Sequence, residues 1–328
     1  MLIDPPAVLA AVLAADIGAT SMRAAVVVPA TGQLLARRQI PTEAGRGLDD
    51  AASRLATLLA AVQWEANVPV GAVGVATAGP VAPSDGTYRH PPNLPGWHDQ
   101  SMMPALEAAL GLPVAVGHDA TLAALAETHF GDARGARDLV YLTVSTGIGA
   151  GIVADGRMVT GASGGAGEAG HLIVAPTARS WCGAGCPGCL EGVASGAAIA
   201  AEARARVAEG AATVLTAEAV AADVFAAATA GDALANEIIE AAVGHLGAGI
   251  AGLLAVFDPE ALVLGGGVAV GVGHRWPALL AAVQSRALPR YAERGVPVAL
   301  TSLGDDVSLL GAAVLAGALA DGGGVERE

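Results

Sequence analysis

Apolar runs broken by short glycine-containing turns set the rhythm of the first third of the chain. Residues 8–17 read as a buried strand that ends in the turn Asp16-Ile17-Gly18-Ala19-Thr20. Residues 22–28 and 33–40, joined through Thr31-Gly32, continue it as an antiparallel meander. Leu55, Leu58, Leu59 and Val62 recur at helical spacing and predict a helix over 48–66. Residues 70–76 form a continuous apolar run, the pattern of a buried strand, and Thr77-Ala78-Gly79-Pro80 turns the chain after it. A Pro- and Gly-rich loop over 84–98 follows, then a helix over 103–110, a short strand over 113–116 and a helix from about Thr121 to Phe130.

The same grammar restarts at Asp138. A strand over 139–144 runs into Ser145-Thr146-Gly147-Ile148-Gly149, and a second strand over 151–154 turns at Asp155-Gly156. Residues 197–255 are mostly helical in pattern, 261–264 form a buried strand leading into Gly265-Gly266-Gly267, and 309–320 are helical. Strand, Gly/Thr turn, strand near the start of each half predicts an α/β protein of two similar lobes rather than one continuous sheet.

Composition narrows the chemistry. The 328 residues carry 31 acidic and 17 basic side chains, a formal charge of −14, and every basic residue is Arg. Without lysine the chain has no Walker A lysine, no protein-kinase strand lysine and no Schiff base to a carbonyl or pyridoxal phosphate. An Ala-, Gly- and Arg-rich chain with few aromatics matches a GC-rich coding sequence, which accounts for the missing lysine. Scattered arginines and the acidic balance argue against nucleic acid as a partner. The positive mean hydropathy comes from Ala and Val broken by Gly and charges, so no membrane partner is expected. The start, Met1-Leu-Ile-Asp-Pro-Pro, has no basic n-region, and a cytoplasmic location is expected. Cys182, Cys186 and Cys189 lie within eight residues, a spacing that suits a metal site better than a disulfide framework.

Three loops carry the candidate chemistry. In the turn from Asp16 to Thr20, small residues let backbone N–H groups approach phosphate oxygens, the hydroxyl adds a donor and the carboxylate can hold Mg²⁺. Taken alone this could be a plain hairpin, but the segment from Ser145 to Gly151 repeats the chemistry, and Gly265 to Gly267 makes a third close-approach loop. Together they resemble a grip on a nucleoside triphosphate that needs no lysine. Asp119 precedes a helix, where a carboxylate serves as an N-cap, as a general base, or as both. Glu168 and His171 sit three apart among glycines, and His171 with the three cysteines makes a possible tetrahedral zinc set.

These motifs resemble the ROK family (repressor, open reading frame, kinase), whose sugar kinases have the actin-like ATPase, ribonuclease H-like fold of two α/β lobes with a cleft between them. The resemblance runs from Asp16 to the helix at Leu310-Gly-Ala-Ala313. It implies an N-terminal lobe of residues 1–118 plus about 310–328 and a C-terminal lobe of 119–309. Phosphate binding falls on Asp16, Gly18, Thr20, Thr146, Gly147, Gly149, Gly265, Gly266 and Gly267, with Asp16 holding magnesium through water. The family's sugar loop resembles Asn93-Leu94-Pro95-Gly96-Trp97, its catalytic pair falls on His118-Asp119, and its Glu-x-Gly-His and Glu-x-x-x-Ser-Gly motifs fall on Glu168 to His171 and Glu191 to Gly196. By that resemblance Asp119 deprotonates the sugar 6-hydroxyl, while Gly79, Asn93, His118, Glu168, His171 and Glu191 line the sugar. His171, Cys182, Cys186 and Cys189 hold a structural zinc.

The implied activity is transfer of the γ-phosphate of Mg-ATP to a hexose, glucose first. N-acetylmannosamine or N-acetylglucosamine is the alternative substrate, and a weakly catalytic sugar-binding or regulatory protein the alternative class. A transcriptional repressor is disfavoured, because only 15 residues precede Asp16. The family resemblance also implies a homodimer or homotetramer. Three departures from the pattern stand out. Ala19 replaces a glycine, which would cost about 1 kcal/mol if that residue needed positive φ. His118 replaces an asparagine. Ala184 occupies a cysteine position, for which Cys186 is expected to substitute.

Overall fold

The computed structural model describes residues 11–321 except Pro83 and Pro92. Residues 8–10 of the expected first strand, the N-terminal start, and 322–328 of the expected C-terminal stretch lie outside the described residues.

Two compact units divide the chain. The first takes the described residues of Met1–Gly135, Met158–Ala166 and Asp305–Glu328; the second takes Ala136–Arg157 and Gly167–Gly304. In the first unit the chain forms β1 (Ala11–Ile17), β2 (Ser21–Val28), β3 (Gln33–Pro41), α1 (Leu48–Ala66), β4 (Val70–Thr77), α2 (Met103–Leu110), β5 (Val114–His118) and α3 (Asp119–Phe130). Its sheet runs β3-β2-β1-β4-β5. Strands β1 and β2 are antiparallel, while β1, β4 and β5 are mutually parallel, in a register that sets Ile17, Thr77 and His118 in one row.

The second unit comprises β6 (Leu139–Val144), β7 (Ile148–Ala154), the first residue of β8 (Arg157–Met158), α4 (Leu190–Ala194), α5 (Gly196–Ala208), α6 (Ala221–Thr229), α7 (Ala233–Phe257), β9 (Ala261–Gly265), α8 (Gly267–Val272), α9 (Trp276–Gln284), α10 (Pro289–Arg294) and β10 (Val298–Leu300). The sheet order β10-β9-β6-β7-β8 repeats that of the first unit, with β6 and β7 in the places of β1 and β2 and β9 in that of β4. The last helix, α11 (Val307–Ala320), returns to the first unit.

Packing explains the residues each unit claims. Every residue of β1 is buried, because α1 and α11 both pack against this strand. Glycine makes the α11 contact possible: a Cβ on Gly74 of β4 would lie 1.9 Å from the Ala312 carbonyl oxygen, and one on Gly311 would lie 1.8 Å from that of Leu122. Helix α3 packs against α11, β4 and β5 and so belongs to the first unit, whereas the sequence reading ends that lobe at residue 118. In the second unit α7 is long and apolar enough to cross a membrane by composition, but 61% of its most apolar window is buried inside the protein. It is the central helix of that unit's core, with Ile238, Leu246 and Ile250 among its buried residues.

Candidate functional site

In the first unit the candidate residues gather at the carboxyl ends of the parallel strands, where ligands of α/β sheets collect. Asp16, next to last in β1, is buried and faces Arg23, its register partner on β2. The Arg23 Nε and Nη2 groups both donate to Asp16 Oδ2, at 3.0 and 2.6 Å. Burial raises the Asp16 carboxyl to about 6, helped by the negative charges of Asp119 and Asp306 and opposed by Arg23. Arg23 is itself held: its Nη1 donates to the Asp305 carbonyl and lies 3.7 Å from Asp306 Oδ1, which also pairs with Arg37 at 2.9 Å.

The turn after Asp16 is braced by Thr42, whose hydroxyl donates to Gly18 O at 2.7 Å and whose N–H donates to Thr20 O at 3.0 Å. Ala19 keeps a negative φ, so its methyl carries none of the backbone penalty that a glycine position would impose. Gly79 adopts φ +92° in the turn after β4. Asn93 is exposed, and its loop is anchored by buried Leu94 and Trp97. Trp97 donates from Nε1 to Ala44 O at 3.2 Å and meets Tyr88 edge-on at 5.3 Å. The loop expected over 84–98 is thus part of the first unit's core.

His118 closes β5 and Asp119 opens α3. Asp119 Oδ1 accepts from Ala120 N at 2.6 Å and lies 3.2 Å from His118 Nε2. Both contacts end on one oxygen, which leaves Oδ2 as the atom able to take a proton. The strand and the helix each extend two residues beyond the sequence expectation, because Gly117 and His118 pair with Ala76 and Thr77.

In the second unit the turn Ser145–Gly147 joins β6 to β7. Two of its carbonyls are taken up by the start of α5: Gly196 N donates to Ser145 O at 2.7 Å and Ala197 N to Thr146 O at 3.1 Å. Glu191 Oε2 accepts the Ile148 N–H at 3.0 Å. Several of the glycines do work other than leaving room for a ligand. A Cβ on Gly147 would meet Glu191 Oε2 at 2.7 Å, and one on Gly265 would meet the Tyr141 hydroxyl at 1.9 Å. Gly266 is in the left-handed region at φ +92°, pressed against Val144 O, while Gly267 has open space at the start of α8. Gly149 lies within β7, opposite Thr143.

The expected zinc ligands converge. Ligand atoms of His171, Cys182, Cys186 and Cys189 lie within 4.8 Å of one another, and His171 Nδ1 is 3.6 Å from both Cys182 Sγ and Cys186 Sγ. Thiolates about 2.3 Å from a common tetrahedral ion would be separated by distances of this order, so the set fits zinc. Burial and the neighbouring thiols push Cys189 up to about 11, and a bound divalent cation would deprotonate it outright. The His171 ring turns Nδ1 to the thiols and leaves Nε2 on the other side, 3.8 Å from Glu168 Oε2. Ala184 contributes nothing to the cluster, and Cys186 stands in the fourth place.

Arg23, Thr42 and Tyr141 escape the sequence reading. Arg23 was findable, because a tight Asp16–Thr20 hairpin sets residue 23 opposite residue 16. The other two depend on tertiary packing and leave no local signal.

Two sheets of one strand order, each ending in glycine turns at the carboxyl edge, define the actin-like ATPase fold. The ROK family model matches residues 12–318, and the chain belongs to the ROK family. Its sequence is 35% identical to an N-acetylmannosamine kinase of Citrobacter koseri over 93% of this chain and 98% of that protein. A ROK hexokinase from Thermus thermophilus superposes with a TM-score of 0.81 at 37% identity, covering 95% of this chain and all of the other (100%). A ROK glucokinase from Streptomyces griseus, solved with glucose and AMPPNP, gives 0.76 at 29% identity, over 93% and 99% of the two chains.

Proposed function

We propose that the chain is a sugar kinase that transfers the γ-phosphate of Mg-ATP to the 6-hydroxyl of a hexose, with glucose as substrate. The observation that carries the reading is Asp119, a partly exposed carboxylate at the end of a parallel strand with one oxygen engaged and the other free. Asp119 Oδ2 takes the proton of the 6-hydroxyl as the sugar oxygen bonds to the γ-phosphorus, and the bond to the bridging oxygen of ADP breaks. Asn93, His118, Glu168 and Glu191 pair the remaining hydroxyls, and a site that pairs hydroxyls rejects sugars lacking them. A zinc ion held by His171 Nδ1 and the three cysteines would leave the ring's proton on Nε2, available as a donor to the sugar.

Magnesium suits Asp16, a hard oxygen donor buried beside a second carboxylate, and would neutralise charge on the transferred phosphoryl group. Protonation removes that grip. The acid limb of kcat/KM for Mg-ATP, which reports the free enzyme, is therefore expected near pH 6, with activity falling as pH drops through it. Arg23→Gln removes the hydrogen bonds and charge that hold the Asp16 carboxyl down, so the limb should move to higher pH. A limb unmoved in that variant would reject Asp16 as the group observed.

N-acetylmannosamine is the second reading, supported by the 35% identity to a kinase of that name. An ADP-release assay over glucose, N-acetylmannosamine, N-acetylglucosamine, mannose, fructose and allose decides between the two by the ratio of kcat/KM. Turnover of none of them would overturn the kinase reading.

A further inference from the structure

Glu191 is expected among the sugar ligands, yet its side chain is hydrogen-bonded to the turn that leads into β7. Its Oε2 accepts the Ile148 N–H at 3.0 Å, and Gly147 comes so close that an added Cβ would lie 2.7 Å from the same oxygen. On its other side Glu191 faces Gly170, where a Cβ would meet the Glu191 Cβ at 3.3 Å and the Ile148 carbonyl oxygen at 2.2 Å. The Glu191 side chain thus lies between the Ser145–Gly147 turn, which its carboxylate meets, and the segment bearing Glu168 and His171, which its Cβ meets.

The same helix reaches the cysteine cluster. Cys189 caps α4, accepting the Gly192 N–H on its sulfur at 3.4 Å, and Glu191 lies in the first turn of that helix. A run of direct contacts therefore links Cys189, α4, Glu191 and the backbone of Ile148. After α4, Gly196 and Ala197 bond the carbonyls of Ser145 and Thr146, so both sides of the turn are fixed by residues 191–197.

We infer that Glu191 is a positioning residue of the nucleotide site, which holds the Ser145–Gly149 turn in its phosphate-binding shape and joins it to the sugar-binding and cysteine-bearing segments. The inference rests on the proposed kinase reading, in which this turn contacts nucleotide phosphates. One carboxylate oxygen serves the turn and the other is left for a sugar hydroxyl, so each substrate organises a group that the other uses. Because binding couplings are reciprocal, hexose should tighten nucleotide binding and nucleotide should tighten hexose binding by the same factor.

The test is calorimetric titration of the full chain with Mg-ADP in the absence of any sugar. Glu191→Ala is expected to weaken Mg-ADP about tenfold, the order of effect of losing one charge-assisted hydrogen bond. Glu191→Gln, whose amide oxygen can accept the same N–H, should stay within about threefold of the parent for Mg-ADP while its hexose KM rises. A residue serving the sugar alone would leave Mg-ADP affinity untouched in both variants, and that result overturns the inference. If Glu191→Ala does not fold, Glu191→Asp carries the same expectation, since it keeps the charge but draws the carboxylate back by one carbon. Failure of the parent itself to bind Mg-ADP would instead reject the kinase reading.

Discussion

Asp119→Asn should lower kcat by about 10²- to 10⁴-fold, the usual contribution of a positioned general base, with hexose KM changed by no more than about threefold. The substitution is nearly isosteric. Its amide oxygen can still accept from Ala120 N and sit beside His118 Nε2, the two neighbours of Asp119 Oδ1. The amide nitrogen then stands where Oδ2 was, and it cannot take a proton. Geometry is kept and basicity is lost, which is why the effect belongs in kcat. Steady-state kinetics on whichever hexose turns over best checks this, and a kcat within threefold of the parent would remove Asp119 from the role of base.

Cys186→Ser carries the second large effect. The purified protein is expected to hold close to one equivalent of zinc, and the variant less than about half, measured by elemental analysis. Serine is a far poorer zinc ligand than thiolate, and the loss of one of four ligands frees the other three. The His171 ring is then no longer pinned through Nδ1, so hexose KM should rise about 10- to 100-fold, the range seen when the surroundings of a metal ligand are disturbed. Structural metal also contributes folding free energy, so the variant should melt several degrees below the parent, with most of the loss in the second unit. Full zinc content in Cys186→Ser would mean that another group completes the set.

The helices at 48–66 and 103–110 and the strand at 139–144 are legible to the residue from their apolar pattern. The five-residue α4 and the three short helices α8, α9 and α10 are not. An Ala-, Gly- and Val-rich stretch offers no periodic contrast between an inner and an outer face, and a single turn of helix is fixed by what it packs against. Strand β5 runs on to His118 because its partner β4 supplies hydrogen bonds that no local pattern announces. The cysteine cluster was legible from spacing, Cys186 in place of residue 184 included, and the fold brings its ligand atoms and that of His171 within 4.8 Å of one another.

Glycine is where sequence misleads most. In both glycine turns of the second unit the motif is plain, but Gly147 makes room for Glu191 and Gly265 makes room for Tyr141. A sequence records that a side chain is missing and not which neighbour fills the gap. Arg23 shows the converse: a cation on the strand beside Asp16 is invisible to motif matching, yet it opposes the upward push that burial gives to a carboxylate the motif names.

The return of α11 to the first unit has a consequence for how the chain is made. The second unit is nearly continuous, from residue 136 to 304, and can close as soon as those residues have left the ribosome. The first unit cannot, because β1 and β4 stay uncovered on one side until Gly311 and Ala312 arrive to pack against Leu122 and Gly74. Contacts so distant in sequence close slowly. A nascent chain thus carries an open, almost wholly apolar β1 through most of its synthesis, and the part made first is the part finished last.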